Sequence, residues 1–231
     1  MGRSALAPSS VLLAISIALT LAASTAAADA EQDSVEALVR ARYHEGLPLE
    51  SAQSLSSAQV ERLAEMLTDP SEGEHRANVL LALGMSGRSE AYPPLAAHAA
   101  AVPVGSVDAS VYHARLALRT ALGHLAASDR RARRELVAEL ARQDPLPWTY
   151  RHLDGARLRE VVRNAAASAL GISGHPASLA ELRRLRETAE RDPAARVRWR
   201  RHLEACEQLG KRVEREGRAR VFSGIGDGRS R

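Results

Sequence analysis

Residues 144–154, Asp-Pro-Leu-Pro-Trp-Thr-Tyr-Arg-His-Leu-Asp, gather side chains that are scarce in the rest of the chain. Trp148 is one of two tryptophans, Tyr150 is one of four tyrosines, and Arg151 and His152 follow directly. Aromatic bodies with polar tips beside a guanidinium have the composition of an interaction hot spot. Trp148, Tyr150, Arg151 and His152 are therefore the candidate partner-binding residues. The competing reading has Trp148 folding back to plug an apolar gap. A second set is Arg76, Arg115 and Arg163, which stand eight residues before Gly84, Gly123 and Gly171. Stacked in parallel they would form a basic stripe suited to an acidic peptide, a phosphate-bearing glycan or a lipid headgroup.

Other reactive residue types lack the spacing that chemistry demands. No His-Glu-x-x-His or Cys-x-x-Cys pattern is present, and His113 and His124 lie eleven residues apart, too far along a helix to share an ion. No Gly-x-Ser-x-Gly elbow appears. The single cysteine, Cys206, cannot form an internal disulfide, and its place four residues before Gly210 matches the apolar positions Leu80 and Ala167. It reads as a buried, inert thiol. Gly224, Gly226 and Gly228 follow no strand, so they do not read as a phosphate loop. The run Arg130-Arg131-Ala132-Arg133-Arg134 reads as a solvated helix face rather than a nucleic-acid patch. The expectation is no metal, no cofactor, no catalytic residue and no nucleic-acid partner.

The elements that position these residues are helices, and they repeat. Ala82-Leu83-Gly84, Ala121-Leu122-Gly123 and Ala169-Leu170-Gly171 close apolar helical patterns, with a degenerate copy at Leu209-Gly210; the glycines are 39, 48 and 39 residues apart. Such a period is that of stacked helix pairs. Each glycine is expected to end its helix as a left-handed cap. The alanines before them leave room for a neighbouring helix. Helices are expected near 75–85, 93–102, 108–126, 130–142, 157–172, 177–190 and 194–215. An earlier one opens at Ser56 with Gln59 as a capping box, and the first runs from Asp33 to Gly46. Prolines of the mature chain fall at these boundaries. The interval of 48 places nine extra residues at 144–154, and insertions in repeat arrays mark the binding edge.

On these residues the chain resembles the HEAT repeat family, in particular its bacterial phycobilisome-lyase-type form. The resemblance covers roughly residues 57–215. It implies an Ala-Leu-Gly-like cap on each pair and an Asp-to-Arg ladder between repeats. Asp69-Pro70 would serve Arg76, Asp108 would serve Arg115, and Asp192-Pro193 would serve Arg198. Asp154 lies nine residues before Arg163, so the third copy departs from the pattern. The ladder is preferred to the basic stripe.

Composition bounds the compartment. One charge, Arg3, precedes an apolar run from Val11 to Ala23, and Ala28-Asp29-Ala30 supplies an A-x-A cleavage pattern before Glu31. That run is short for a membrane span, which needs about 20 residues. The reading is a cleavable signal peptide over 1–30 and a secreted or periplasmic mature protein. A membrane location applies only if the signal is retained as an anchor. Residues 31–128 carry a net charge of −5 and residues 129–231 a net of +9, a polarity that allows end-to-end docking or placement of the basic end on an anionic surface.

The fold class expected is all-α, an α-solenoid of about four HEAT-like antiparallel helix pairs. Residues 31–56 form an N-terminal capping helix and linker, 57–216 the repeat domain and 217–231 a disordered basic tail. The function expected is a scaffold that binds a protein or peptide. The alternatives are an enzyme or chromophore handler, which the resemblance makes conceivable, and a nucleic-acid-binding solenoid.

Overall fold

Short polar side chains start the helices where the sequence places them. A computed structural model describes residues 34–43, 46–192 and 197–223; the signal peptide expected at 1–30 and residues 224–231 of the expected tail lie outside the described residues. Residues 34–40 form helix α1, followed by α2 (Leu49–Gln53) and α3 (Ser57–Thr68). Ser56 and Gln59 make the reciprocal capping box at the start of α3. Helix α1 stops short of the expected Gly46, because its last carbonyls are taken by side chains: Tyr43 Oη donates to Leu38 O (2.8 Å) and Asn78 Nδ2 to Val39 O (2.9 Å).

Helices α4 (Arg76–Ser86), α5 (Tyr92–Ala100) and α6 (Ala109–Leu125) come next, followed by α7 (Arg130–Ala141) and α8 (Gly155–Ser173). The last three are α9 (Pro176–Arg191), α10 (Val197–Glu216) and α11 (Arg218–Ser223). Asp108, Asp129 and Asp154 cap α6, α7 and α8 by accepting from the backbone N–H groups of Val111, Arg131 and Arg157. Asp69 does the same for the 3-10 turn at Pro70–Glu72. The fold is all-α apart from two-residue strands, β1 (Gly105–Ser106) and β2 (Trp148–Thr149), which pair in parallel.

The repeated glycines do not cap helices. Gly84, Gly123, Gly171 and Gly210 all lie inside α4, α6, α8 and α10, and the left-handed caps are Gly87 (φ 68°) and Gly174 (φ 58°), three residues further on. The repeated positions are crossing points. A Cβ on Gly84 would stand 2.2 Å from Ala121 O, one on Gly123 2.6 Å from Ala169 O, and one on Gly171 2.6 Å from Cys206 O. Gly84 and Gly123 each meet the first residue of the next Ala-Leu-Gly and Gly171 meets Cys206, four residues before Gly210, so α4 packs on α6, α6 on α8 and α8 on α10 at backbone contact. Gly210 departs: its missing Cβ faces Leu179 Cδ2 at 2.4 Å, a movable side chain. Helices α3, α5, α7 and α9 each pack on the helix that follows them, and the core between the two sets is almost wholly Leu, Val and Ala.

Polar pairs pin the layers. Glu139 of α7 is 6% exposed and receives Arg119 of α6 (3.3 Å), Arg142 (3.0 Å) and Arg159 of α8. The tail departs from its expected disorder over residues 218–223. Helix α11 forms because Phe222 packs on the core with its ring 5.5 Å from that of His124, and Arg218 donates to His124 O at the end of α6. Among the described residues no helix is long and apolar enough to cross a membrane.

Candidate functional site

The extra residues between α7 and α8 build a second, small core. Gly105 N donates to Pro147 O and Val107 N to Thr149 O, both at 3.0 Å, so the loop after α5 is zipped to the loop after α7. A tight reversal follows, with Tyr150 and Leu153 exchanging backbone hydrogen bonds at 3.0 and 2.9 Å. Leu146 N donates to Gly155 O (3.0 Å), and a Cβ on Gly155 would lie 2.1 Å from Leu146 O, so only glycine fits there. Arg151 sits at the turn with φ 50°, a left-handed conformation rarely adopted by a side chain of its size.

This geometry separates the four candidate residues. Trp148 is 2% exposed and packs with Tyr150 and Leu158 among Val107, Tyr112, Leu146 and Leu153. The Tyr112 and Tyr150 rings stack at 4.1 Å and 10°. Trp148 as a direct partner contact is therefore corrected: an indole is the largest side chain available to fill the space that the extra residues enclose, and filling it buries the ring. Tyr150 is likewise mostly covered. Arg151 and His152 are exposed at the tip, with the Arg151 guanidinium 5.1 Å from the Tyr150 ring. Val102 (47% exposed) and Val104 (81%) extend the same edge from the loop zipped to it. Neither valine was visible as a candidate, because burial is not a property of the local sequence.

The three repeat arginines do not form an Asp-to-Arg ladder. Arg76 donates to the backbone oxygen of Asp69 (3.2 Å), and Arg115 donates to His98 O (2.8 Å) and Ala101 O at the end of α5. Arg163 reaches Gln143 Oε1 (3.3 Å) and lies 5.2 Å from the Trp199 ring. The aspartates are engaged as helix caps, and a guanidinium suits the unpaired carbonyls at a helix C-terminus. The result is neither a ladder nor a stripe. Arg76 and Arg115 share one pocket, while Arg163 lies elsewhere.

A Cys–His contact also escaped the sequence reading, although His202 and Cys206 have the i, i+4 spacing that puts two residues on one helix face. Cys206 Sγ is 3.5 Å from His202 Nε2, and Ser168 Oγ is within 3.7 Å of the sulfur. His202 Nε2 also lies 2.9 Å from Asn164 O. A carbonyl only accepts, so Nε2 carries a proton and cannot take one from the thiol. Burial raises the Cys206 pKa, which further disfavours the thiolate. The cluster links α8 to α10 and lacks the polarity of a nucleophilic pair. Within the arginine run, Arg131 is bound to Asp129 (2.7 Å) and covers the Tyr92 ring at 4.4 Å, and Arg133 donates to Ala126 O. Those two serve the fold. Among the described residues no three His, Cys, Asp or Glu side chains gather as a metal ion would require.

Two histidines are held neutral. Burial, with the charges of Arg115, Arg76 and Arg119, pushes His98 down to about 4. Burial, with Arg218 nearby, pushes His124 down to about 3.

The described chain is thus an all-α protein. In comparison with known proteins, no family model, no curated protein and no solved structure matches it.

Proposed function

We propose that the mature chain is an exported HEAT-like α-solenoid that binds a protein or peptide along the edge bearing the inserted loop. The observation that carries this reading is the serial packing of α4, α6, α8 and α10 through glycine crossing points, one per sequence repeat. Within that row each helix packs on the next, although α11 returns to α2 and α6, and rows of this kind expose long edges that are used for partners. Arg151 and His152, together with Val102 and Val104, are the contact residues in this reading; Trp148 and Tyr150 hold the loop in shape. The sequence of residues 1–30 supports export, and the N-terminal residue of the mature protein, expected to be Glu31, checks it.

The test is a photo-crosslinking residue placed at His152, with a control at exposed Arg184 on α9, in protein exposed to the envelope and medium fractions. The reading expects a discrete adduct from position 152 and none from 184. Adducts only from 184, or from neither position, contradict it.

A further inference from the structure

Arg76 and Arg115 face a half-open pocket of about 260 Å³ that is also lined by Leu67, His98, Pro103 and Val111. Among the described residues no carboxylate forms an ion pair within it, although Asp108 is close enough for Arg76 to help lower its pKa. Neither arginine has an ion-pair partner among the described residues, whereas Arg119, one helical turn beyond Arg115, is matched by Glu139. The nearest acids along the chain are engaged elsewhere: Asp69 with Ser71, Asp108 with Val111 N and Ser110. Arg115 is only 6% exposed, and its two terminal nitrogens serve His98 O and Ala101 O. Arg115 Nε and His98 Nε2 are buried with no hydrogen-bond partner. An uncompensated guanidinium and an orphaned ring nitrogen are each costly in a native interior, so their presence together in one pocket calls for an anion.

We propose that this pocket, between α4, α5 and α6, is a binding site for a carboxylate carried on an apolar stem. The stem follows from the walls: apart from the two arginines and His98, the lining is Leu, Ala, Pro and Val. The carboxylate is chosen over a phosphate because the two buried nitrogens left without partners, Arg115 Nε and His98 Nε2, match two oxygens, and the remaining walls are apolar. The volume is below that of a typical drug-sized site, so the ligand is small or is the end of a chain. His98, held neutral by burial and then by the charges of Arg115, Arg76 and Arg119, is the natural reporter, because a bound carboxylate offsets those charges.

The experiment is titration of the whole mature protein with hexanoate, hexanol and inorganic phosphate, following the His98 ring signals by NMR. Hexanoate is expected to shift them saturably and to raise the His98 pKa; hexanol is not. Arg76→Ala, at a half-exposed position, is expected to weaken hexanoate at least about tenfold. Arg115→Met should abolish binding, and if that variant fails to fold, Arg76→Ala decides. Equal binding of hexanol, an unaffected Arg76→Ala protein, no saturable shift, or phosphate binding without hexanoate binding overturns the proposal. A leucine-ended peptide with a free or an amidated C-terminus separates the sources: preference for the free peptide over hexanoate assigns a peptide end, and the reverse assigns a free acid. Pro103 of the pocket adjoins Val102 and Val104 of the loop edge, but the readouts differ, His98 ring signals here and an adduct at His152 there, so failure of either leaves the other reading standing.

Discussion

The helix row and the inserted edge solve the same packing problem in opposite ways. At the crossings of α4, α6, α8 and α10, order comes from side chains that are absent: Gly84, Gly123 and Gly171 let backbones meet. At the edge between α7 and α8, order comes from the bulkiest side chain in the chain, Trp148, stacked among Tyr150, Tyr112 and Leu158. The contrast teaches that a regular repeat can be read from its smallest residues, while an interruption has to be filled by large ones.

The contrast can be broken by four perturbations of falling size. Trp148→Ala empties the small core and should cost about 3–5 kcal/mol in chemical denaturation. A loss near zero would mean that the indole is not the filler. Acid comes second. His124 is neutral in the fold with a pKa of about 3, so below the unfolded value of 6.5 the unfolded chain binds the proton first. Stability is therefore full above pH 6.5 and should fall by roughly 3 kcal/mol between pH 7 and pH 4. His124→Leu should remove that share and leave the fall that His98, with a pKa of about 4, adds over the same range; His124 Nδ1 has no hydrogen-bond partner to lose. An unchanged slope would show that the acid sensitivity comes from other groups.

Third, Gly87→Ala should cost about 1 kcal/mol, because φ 68° at the true cap strains any side chain while the space around it is nearly open. Smallest of all, Arg151→Ala and His152→Ala should each change stability by less than about 0.5 kcal/mol, as exposed residues do. A larger loss would place the loop tip in the core and remove it as a contact surface.

The helix boundaries were legible in the sequence because Ser56, Asp108, Asp129 and Asp154 have one inexpensive use at a helix start, and proline excludes itself from helix interiors. The roles of the repeated glycines were not, since Ala-Leu-Gly fits both a left-handed cap and a close crossing; only the position of the next helix distinguishes them. The short strands carry two residues each, too few for any periodicity, and they form because two distant loops meet. Helix α11 owes its order to Phe222 and Arg218 docking near His124, a contact across 94 residues that no local pattern announces. The arginines were legible as a set, but their acceptors were not: an aspartate seven residues upstream looks like a partner until it is seen to cap its own helix. The candidate site followed the same division. The insertion was legible from the spacing of the glycines, whereas the burial of Trp148 within it could be decided only by the enclosing residues.

The most direct test compares Gly84→Ala with Gly210→Ala by equilibrium denaturation. In an ordinary helix interior, alanine is favoured over glycine by about 1 kcal/mol, so both variants would gain stability if these glycines were free of neighbours. Because the Gly84 Cβ would stand 2.2 Å from the Ala121 backbone, Gly84→Ala should instead lose about 1–3 kcal/mol. Gly210→Ala, opposed by the movable end of Leu179, should lose less. A Gly84→Ala protein as stable as the parent, or more so, would contradict the stacking of helices through glycine crossings.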